Sequence, residues 1–170
     1  MTASDPARLL RALQDLRIGF EIVTERIAKA TRLNPRDLGV LDVLHAEGPA
    51  TPRRLATRTG IHPATLTAIL ARLQREGRVT RHSNPIDARS ALIAISDDTV
   101  IELTRLYADI NASLLDSFAA LPTSDRTRII GFLTDLTTTI HTVSVDQAGD
   151  PGHVTNARRP VPREKKHVQK

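Results

Sequence analysis

The stretch from Thr51 to Ile95, TPRRLATRTGIHPATLTAILARLQREGRVTRHSNPIDARSALIAI, constrains this chain more than any other. Its spacing predicts a short helix, a tight turn, a longer helix and two short strands joined by a charged loop. Thr51 is placed to cap the first helix, with Pro52 at the first helical position, where a missing N–H costs nothing. Leu55 and Ala56 point inward, and Gly60 is best able to take the left-handed conformation after the helix. The second helix starts at Pro63 and sets Leu66, Ile69, Leu70 and Leu73 at i, i+3, i+4 and i+7, one apolar face. Its other face offers Ala64, Thr65, Thr67, Ala68 and Arg72, and it stops at Gly77. Two helices joined by a short glycine-containing turn form a helix-turn-helix, whose second helix can enter a DNA major groove. Val79–His82 and Ala91–Ile95 are β-prone, with Asn84 and Pro85 in the polar loop between them, so a hairpin follows. A hairpin behind a helix-turn-helix makes a winged helix.

Charge points the same way. Residues 51–90 carry eight arginines (53, 54, 58, 72, 75, 78, 81 and 89) against Glu76 and Asp87, a net +6. Residues 1–50 are balanced, residues 91–150 carry −6, and the tail from 151 carries +5. Ahead of the tail, the basic excess is confined to the winged-helix stretch. A localised basic face is the electrostatic footprint of phosphate binding.

The 170 residues suffice for one domain of ordinary size, or a small domain with a long appendage. Aromatic residues make up only 2%, so the core must be built from Leu, Ile, Val and Ala, which suits helix packing. The absence of cysteine excludes disulfides, thiolate metal sites and thiol redox sensing. Asp5, Arg8, Arg11, Asp15 and Arg17 interrupt the N-terminus, so no signal peptide is expected there, and no apolar run approaches a membrane span. A cytoplasmic protein that does not enter the membrane is the expectation.

Around the winged helix, the apolar positions describe long helices. Asp5-Pro6 opens one that runs to about Thr31, with Leu9, Leu13, Leu16, Phe20, Val23 and Ile27 at the seam spacing of a packed pair. Asn34-Pro35 repeats the cap-and-proline device for a helix ending near Gly48. Ser96 starts a long acidic helix bearing Leu103, Leu106, Ile110, Leu114, Phe118 and Leu121. Pro122 breaks it, and Thr123 or Ser124 caps another, with Ile129, Phe132, Leu133, Leu136, Ile140 and Val143 inward. These helices carry more apolar surface than a small winged helix can cover, and exposed patches of that size mark interfaces. The chain is therefore expected to be mainly α, an α+β winged helix-turn-helix with a helical dimerisation domain made from both ends. The expected segments are an N-terminal dimerisation helix over 1–33, a winged helix over 34–96, dimerisation helices over 97–147 and a basic, disordered tail over 148–170. An intramolecular helical subdomain is the alternative.

Residues 54–95 resemble the MarR family of bacterial transcription regulators. The resemblance is carried by Arg54-Leu55-Ala56, by Pro63-x-Thr65-Leu66-Thr67, by Leu73-x-x-x-Gly77-x-Val79-x-Arg81, and by the wing Asp87-x-Arg89 followed by Leu92 and Ile95-Ser96. With the flanking helices it covers about residues 8–145. It implies a homodimer on a pseudo-palindromic operator in double-stranded DNA, most often a repressor, released by a small and frequently phenolic or amphipathic effector. It also implies that Arg89 probes the minor groove while Asp87 braces the wing. Ala88 and Ala68 stand where that family often has basic residues.

These readings give a residue-by-residue expectation. Thr65 and Thr67 can hydrogen-bond base edges or phosphates, and Ala64 and Ala68 can meet thymine methyls. Arg53, Arg54, Arg72, Arg75 and His62 are expected at phosphates, which position without specifying. Arg78 and Arg81 join them or pair within the hairpin. Leu9, Leu13, Leu16, Phe20, Leu114, Phe118, Leu133 and Leu136 are the expected dimer contacts. The six histidines show no metal-ligand spacing, and no catalytic or nucleotide-binding motif is present, so no metal, no cofactor and no enzymatic activity are expected. Two further readings remain: a winged helix that binds a partner protein, and an architectural DNA binder of low sequence preference that relies on the basic tail.

Overall fold

In the computed structural model, which describes residues 5–87 and 89–148, the element order is α1 (Asp5–Thr31), α2 (Pro35–Glu47), α3 (Pro52–Thr59), α4 (Pro63–Arg75), β1 (Val79–Ser83), β2 (Ala91–Ile95), α5 (Asp97–Ala119) and α6 (Thr123–Ala148). The predicted caps account for the inner boundaries. Asn34 Oδ1 accepts from the Asp37 N–H at 2.9 Å ahead of α2, and Thr51 Oγ1 accepts from the Arg54 N–H at 3.2 Å ahead of α3. Each satisfies a donor that the helix itself leaves orphaned, worth about 1 kcal/mol. Gly60 leaves α3 at φ 66°, a left-handed backbone that a β-carbon would disfavour. Ser96 behaves differently from the prediction: its hydroxyl pairs with Thr99 Oγ1 at 2.9 Å rather than with a backbone N–H.

The hairpin pairs antiparallel, with Val79 opposite Ile95, Arg81 opposite Ile93 and Ser83 opposite Ala91. A third segment joins it. Ala50 N–H donates to Ile93 O at 3.0 Å and Ile93 N–H returns to Ala50 O at 2.8 Å. This bridge stitches the start of the helix-turn-helix to the wing. A single paired residue carries no periodicity, which is why the sequence pattern does not reveal it.

The core is aliphatic. Leu38, Leu41, Leu55, Leu73 and Leu103 have no exposed surface, and Leu66 retains 1%. Helix α2 lies at its centre, against α1, α3 and β2. Each such leucine contributes about 1.5–3 kcal/mol through burial.

The chain forms two compact units, Met1–Ala120 and Leu121–Lys170. Leu103 belongs to the core of the first unit, so α5 is part of the unit that holds the winged helix. The boundary between the two units, after Ala120, falls inside residues 97–147. In the second unit the described residues form α6 and its lead-in. The predicted tail lies outside the described residues except for Ala148.

Leu9, Leu16, Phe20 and Leu114 in the first unit are exposed, as is Leu133 in the second, while Leu13, Phe118 and Leu136 are half-buried. Among the described residues no helix is long and apolar enough to cross a membrane.

Candidate nucleic-acid interface

Helix α4 divides cleanly between core and solvent. Leu66, Ile69, Leu70 and Leu73 are buried, while Ala64, Thr65, Thr67 and Ala68 are exposed on the surface. The 3.6-residue period produces this separation: what anchors the helix cannot read, and what could read does not anchor it. Thr67 donates its hydroxyl proton to Pro63 O at 2.9 Å, which leaves its oxygen lone pairs as acceptors. His62 caps the helix weakly, its Nδ1 accepting from the Ala64 N–H at 3.4 Å.

The arginines separate into three situations. Arg53 and Arg75 are exposed, the latter donating to Ala71 O at 3.4 Å. Arg54 and Arg58 converge on Glu47, with Nη2 to Oε2 at 2.9 Å and Nε to Oε1 at 2.6 Å. The bond from Arg58 holds the Glu47 carboxyl below its ordinary range, with Arg54 adding to it. Exposed pairs of this kind are worth at most about 1 kcal/mol, so Arg54 can exchange Glu47 for a phosphate at little cost. Arg72 and Arg78 are committed to the protein. Arg72 forks onto buried Asp37, and Arg78 binds Glu102 and donates to Thr31 O at 3.1 Å. Arg78 therefore does not pair within the hairpin; it ties the wing base to α5 and to the end of α1.

The wing is ordered by its own polar side chains. Asn84 Oδ1 accepts from the Ile86 N–H at 3.0 Å, and Asn84 Nδ2 donates to Ser90 Oγ at 2.7 Å. Asp87 Oδ1 accepts from the Arg89 N–H at 3.0 Å, and Asp87 O accepts from both the N–H and the hydroxyl of Ser90. Arg89 is left exposed, as is Ile86 of the same loop, which is 94% exposed and which sequence reasoning passed over. Ala88 lies outside the described residues.

One further link joins α2 to α5. Tyr107 OH donates to Asp42 Oδ1 at 2.9 Å. Burial raises the Asp42 carboxyl above its ordinary value despite that bond, and burial likewise raises the Tyr107 hydroxyl. The partners of Asp37, Asp42 and Arg78 lie 35, 65 and 24 residues away along the chain. No local pattern could have announced them. Among the described residues no three His, Asp or Glu side chains gather as a metal site would require.

Residues 33–90 match the family model described as MarR family. A Bacillus subtilis protein named as the uncharacterized HTH-type transcriptional regulator YcgE is 32% identical over 89 residues, which are 52% of this chain and 58% of that protein. An uncharacterized HTH-type transcriptional regulator of Mycobacterium leprae is 35% identical over 84 residues, 45% of this chain and 59% of the relative. The chain thus spans just under three fifths of the length of each of these relatives. Among solved structures, a MarR family protein from Bacillus stearothermophilus superposes with a TM-score of 0.63 at 16% identity, covering 82% of this chain and 98% of that one. NadR in complex with 4-hydroxyphenylacetate gives 0.63 at 18% identity, covering 81% and 97%. Over residues 33–90 the chain is thus similar to the MarR family of winged helix-turn-helix proteins.

Proposed function

We propose that this chain is a sequence-specific transcriptional regulator that binds double-stranded DNA as a homodimer. The observation that carries the reading is the outer face of α4, where Ala64, Thr65, Thr67 and Ala68 stand exposed above a buried anchor beside an ordered wing bearing Arg89. The names of its relatives, HTH-type transcriptional regulators, support the same reading. In it, α4 lies in the major groove and Arg89 enters the adjacent minor groove. Arg53, Arg54, Arg75 and His62 hold phosphates. The protein acts in the cytoplasm as a repressor on a pseudo-palindromic operator and carries out no catalysis.

Release would follow from a small amphipathic ligand. The cleft of about 190 Å³ between α1 and α5, lined by Val23, Arg26, Ile27, Leu106, Asp109 and Ile110, offers an apolar wall with one guanidinium and one carboxylate. A compound with an apolar body and a polar, hydrogen-bonding group fits that chemistry.

The decisive experiment titrates salt against binding to the intergenic DNA upstream of the gene and to random duplex of equal length. A regulator gives a large specific-to-random ratio and a footprint with half-sites about one helical turn apart. Equal, steeply salt-dependent binding to both would replace it with an architectural binder, and no binding at low salt would replace it with a protein-interaction module.

Two substitutions sharpen the assignment. Arg89→Ala weakens binding most at sites whose flanking minor groove is narrow, because such grooves concentrate negative potential. Uniform loss across flanks, measured by competition among operators, would remove Arg89 from the groove. Thr65→Val keeps the shape and deletes the hydroxyl, so preference at one base pair per half-site relaxes by about 1 kcal/mol or more. An unchanged preference in a selection from randomised half-sites would take Thr65 out of the reading set.

A further inference from the structure

Asp37 is a charged side chain with 1% exposure, and its surroundings account for it. Arg72 Nε donates to Oδ2 at 2.8 Å and Arg72 Nη2 to Oδ1 at 2.5 Å, a two-pronged fork. Asn34 Nδ2 donates to Oδ2 at 2.9 Å, while Asn34 Oδ1 caps the Asp37 N–H. One carboxylate therefore gathers the first turn of α2 and the last turn of α4. A bidentate fork fixes direction as well as distance, which a single ammonium contact does not.

The fork acts on the face that matters for reading. Thr65, Ala68 and Arg72 follow one another at i, i+3 and i+7, so they share one side of α4. All three line an open groove of about 500 Å³ whose opposite bank is Asn34, Pro35 and Arg36. Arg72 sits seven residues beyond Thr65, roughly 10.5 Å along the helix axis. A restraint at that distance governs the tilt at which the N-terminal half of α4 is presented. For Arg72 to grip a phosphate through the same prongs, it would have to leave a buried carboxylate unpaired, which is strongly unfavourable.

We propose that Arg72 is a positioning residue, and that the Asp37–Arg72 fork sets the angle at which α4 offers Thr65 and Ala68 to DNA. This rests on the DNA-reading function proposed above and deepens it. It also replaces the expectation, drawn from charge alone, that Arg72 is a phosphate contact.

The two roles have opposite signatures. A phosphate contact contributes about 0.9 to the slope of log affinity against log salt, equally on any sequence. A positioning residue contributes nothing to that slope and acts only where register with bases matters. The test measures operator and random-duplex binding over a salt series for the full chain, as wild type, Arg72→Gln, Asp37→Asn, the double variant, and Arg53→Gln as a surface-arginine reference. Arg72→Gln should lower the specific-to-random ratio by roughly tenfold, on the scale of one misaligned base contact, with the salt slope unchanged.

Asp37→Asn is the sharper arm. It removes the negative charge that holds Arg72, so a phosphate-contact role for Arg72 predicts equal or tighter binding. The fork predicts weaker operator binding, and a double variant no worse than either single one. A reduced slope with equal loss on both duplexes for Arg72→Gln, or undiminished operator binding by Asp37→Asn, overturns the proposal. Should the neutral variants melt below the assay temperature, Arg72→Lys keeps the charge and loses the second prong. It must then lose discrimination at unchanged slope, and full discrimination by it overturns the fork. If the wild type itself fails to distinguish operator from random duplex, the DNA-reading function falls first, and this inference with it.

Discussion

Leu114→Asp is expected to turn the protein into monomers in sedimentation and to lower its affinity for a two-half-site operator by about 100-fold or more, the scale on which linked half-sites reinforce one another. The physical ground is the apolar surface that the single chain leaves open. On α5, Leu114 and Leu115 are 47% and 65% exposed, and on α1, Leu10, Phe20 and Ile22 are 67%, 51% and 58% exposed. Isolated exposed leucines need no explanation, but runs of them over successive helical turns do. A second copy of the chain covers them in the proposed homodimer, and a carboxylate at 114 would then be buried without a partner, at a cost of several kcal/mol. Thr104→Asp, at an exposed position nearer the start of the same helix, should leave the dimer intact. Dimers that survive Leu114→Asp would place the interface elsewhere, and the eight expected contact residues would lose that role together.

How much of this was legible beforehand depends on the range of the signal. The helix caps at Asn34 and Thr51, the glycine stop at Gly60, and the register of Leu66, Ile69, Leu70 and Leu73 all follow from neighbours within a turn or two. The structure places them where local chemistry demands. Residue identity within α4 also separates core from surface before any coordinates are known. What escaped is what depends on distant partners. Arg72 looks like any other arginine of a basic helix until Asp37 stands beside it, and Arg78 is undetermined until Glu102 and Thr31 O are in place. Charge counting treats the eight arginines of the winged helix as equivalent, whereas the fold spends two of them on holding itself together. The Ala50 bridge to Ile93 was equally silent, because one residue has no period.

The second large effect is expected in the anchor of α4 itself. Leu73→Ala should lower stability by about 2–5 kcal/mol, the range for deleting a fully buried leucine side chain where the site relaxes only in part. Leu73 has no exposed surface, is the last of the four buried positions of α4, and its carbonyl accepts the Arg78 N–H at 2.8 Å where the chain turns toward the wing. Its side chain is therefore fully enclosed by the core, while its backbone is fixed at the turn toward the wing. A chain of this length loses roughly 2–4 °C of Tm per kcal/mol, so the melting temperature should fall by roughly 4–20 °C. Thr67→Ala, one helix face away and exposed, should change it by less than about 0.5 kcal/mol. Below its melting range Leu73→Ala keeps the Asp37–Arg72 fork and every outward side chain, so its operator discrimination should match the wild type. The two residues thus separate what holds α4 in the protein from what aims it. A loss under about 1 kcal/mol in urea unfolding would mean that α4 is not seated on this leucine. A stable Leu73→Ala protein with lost discrimination would assign the aiming to core packing instead of the fork.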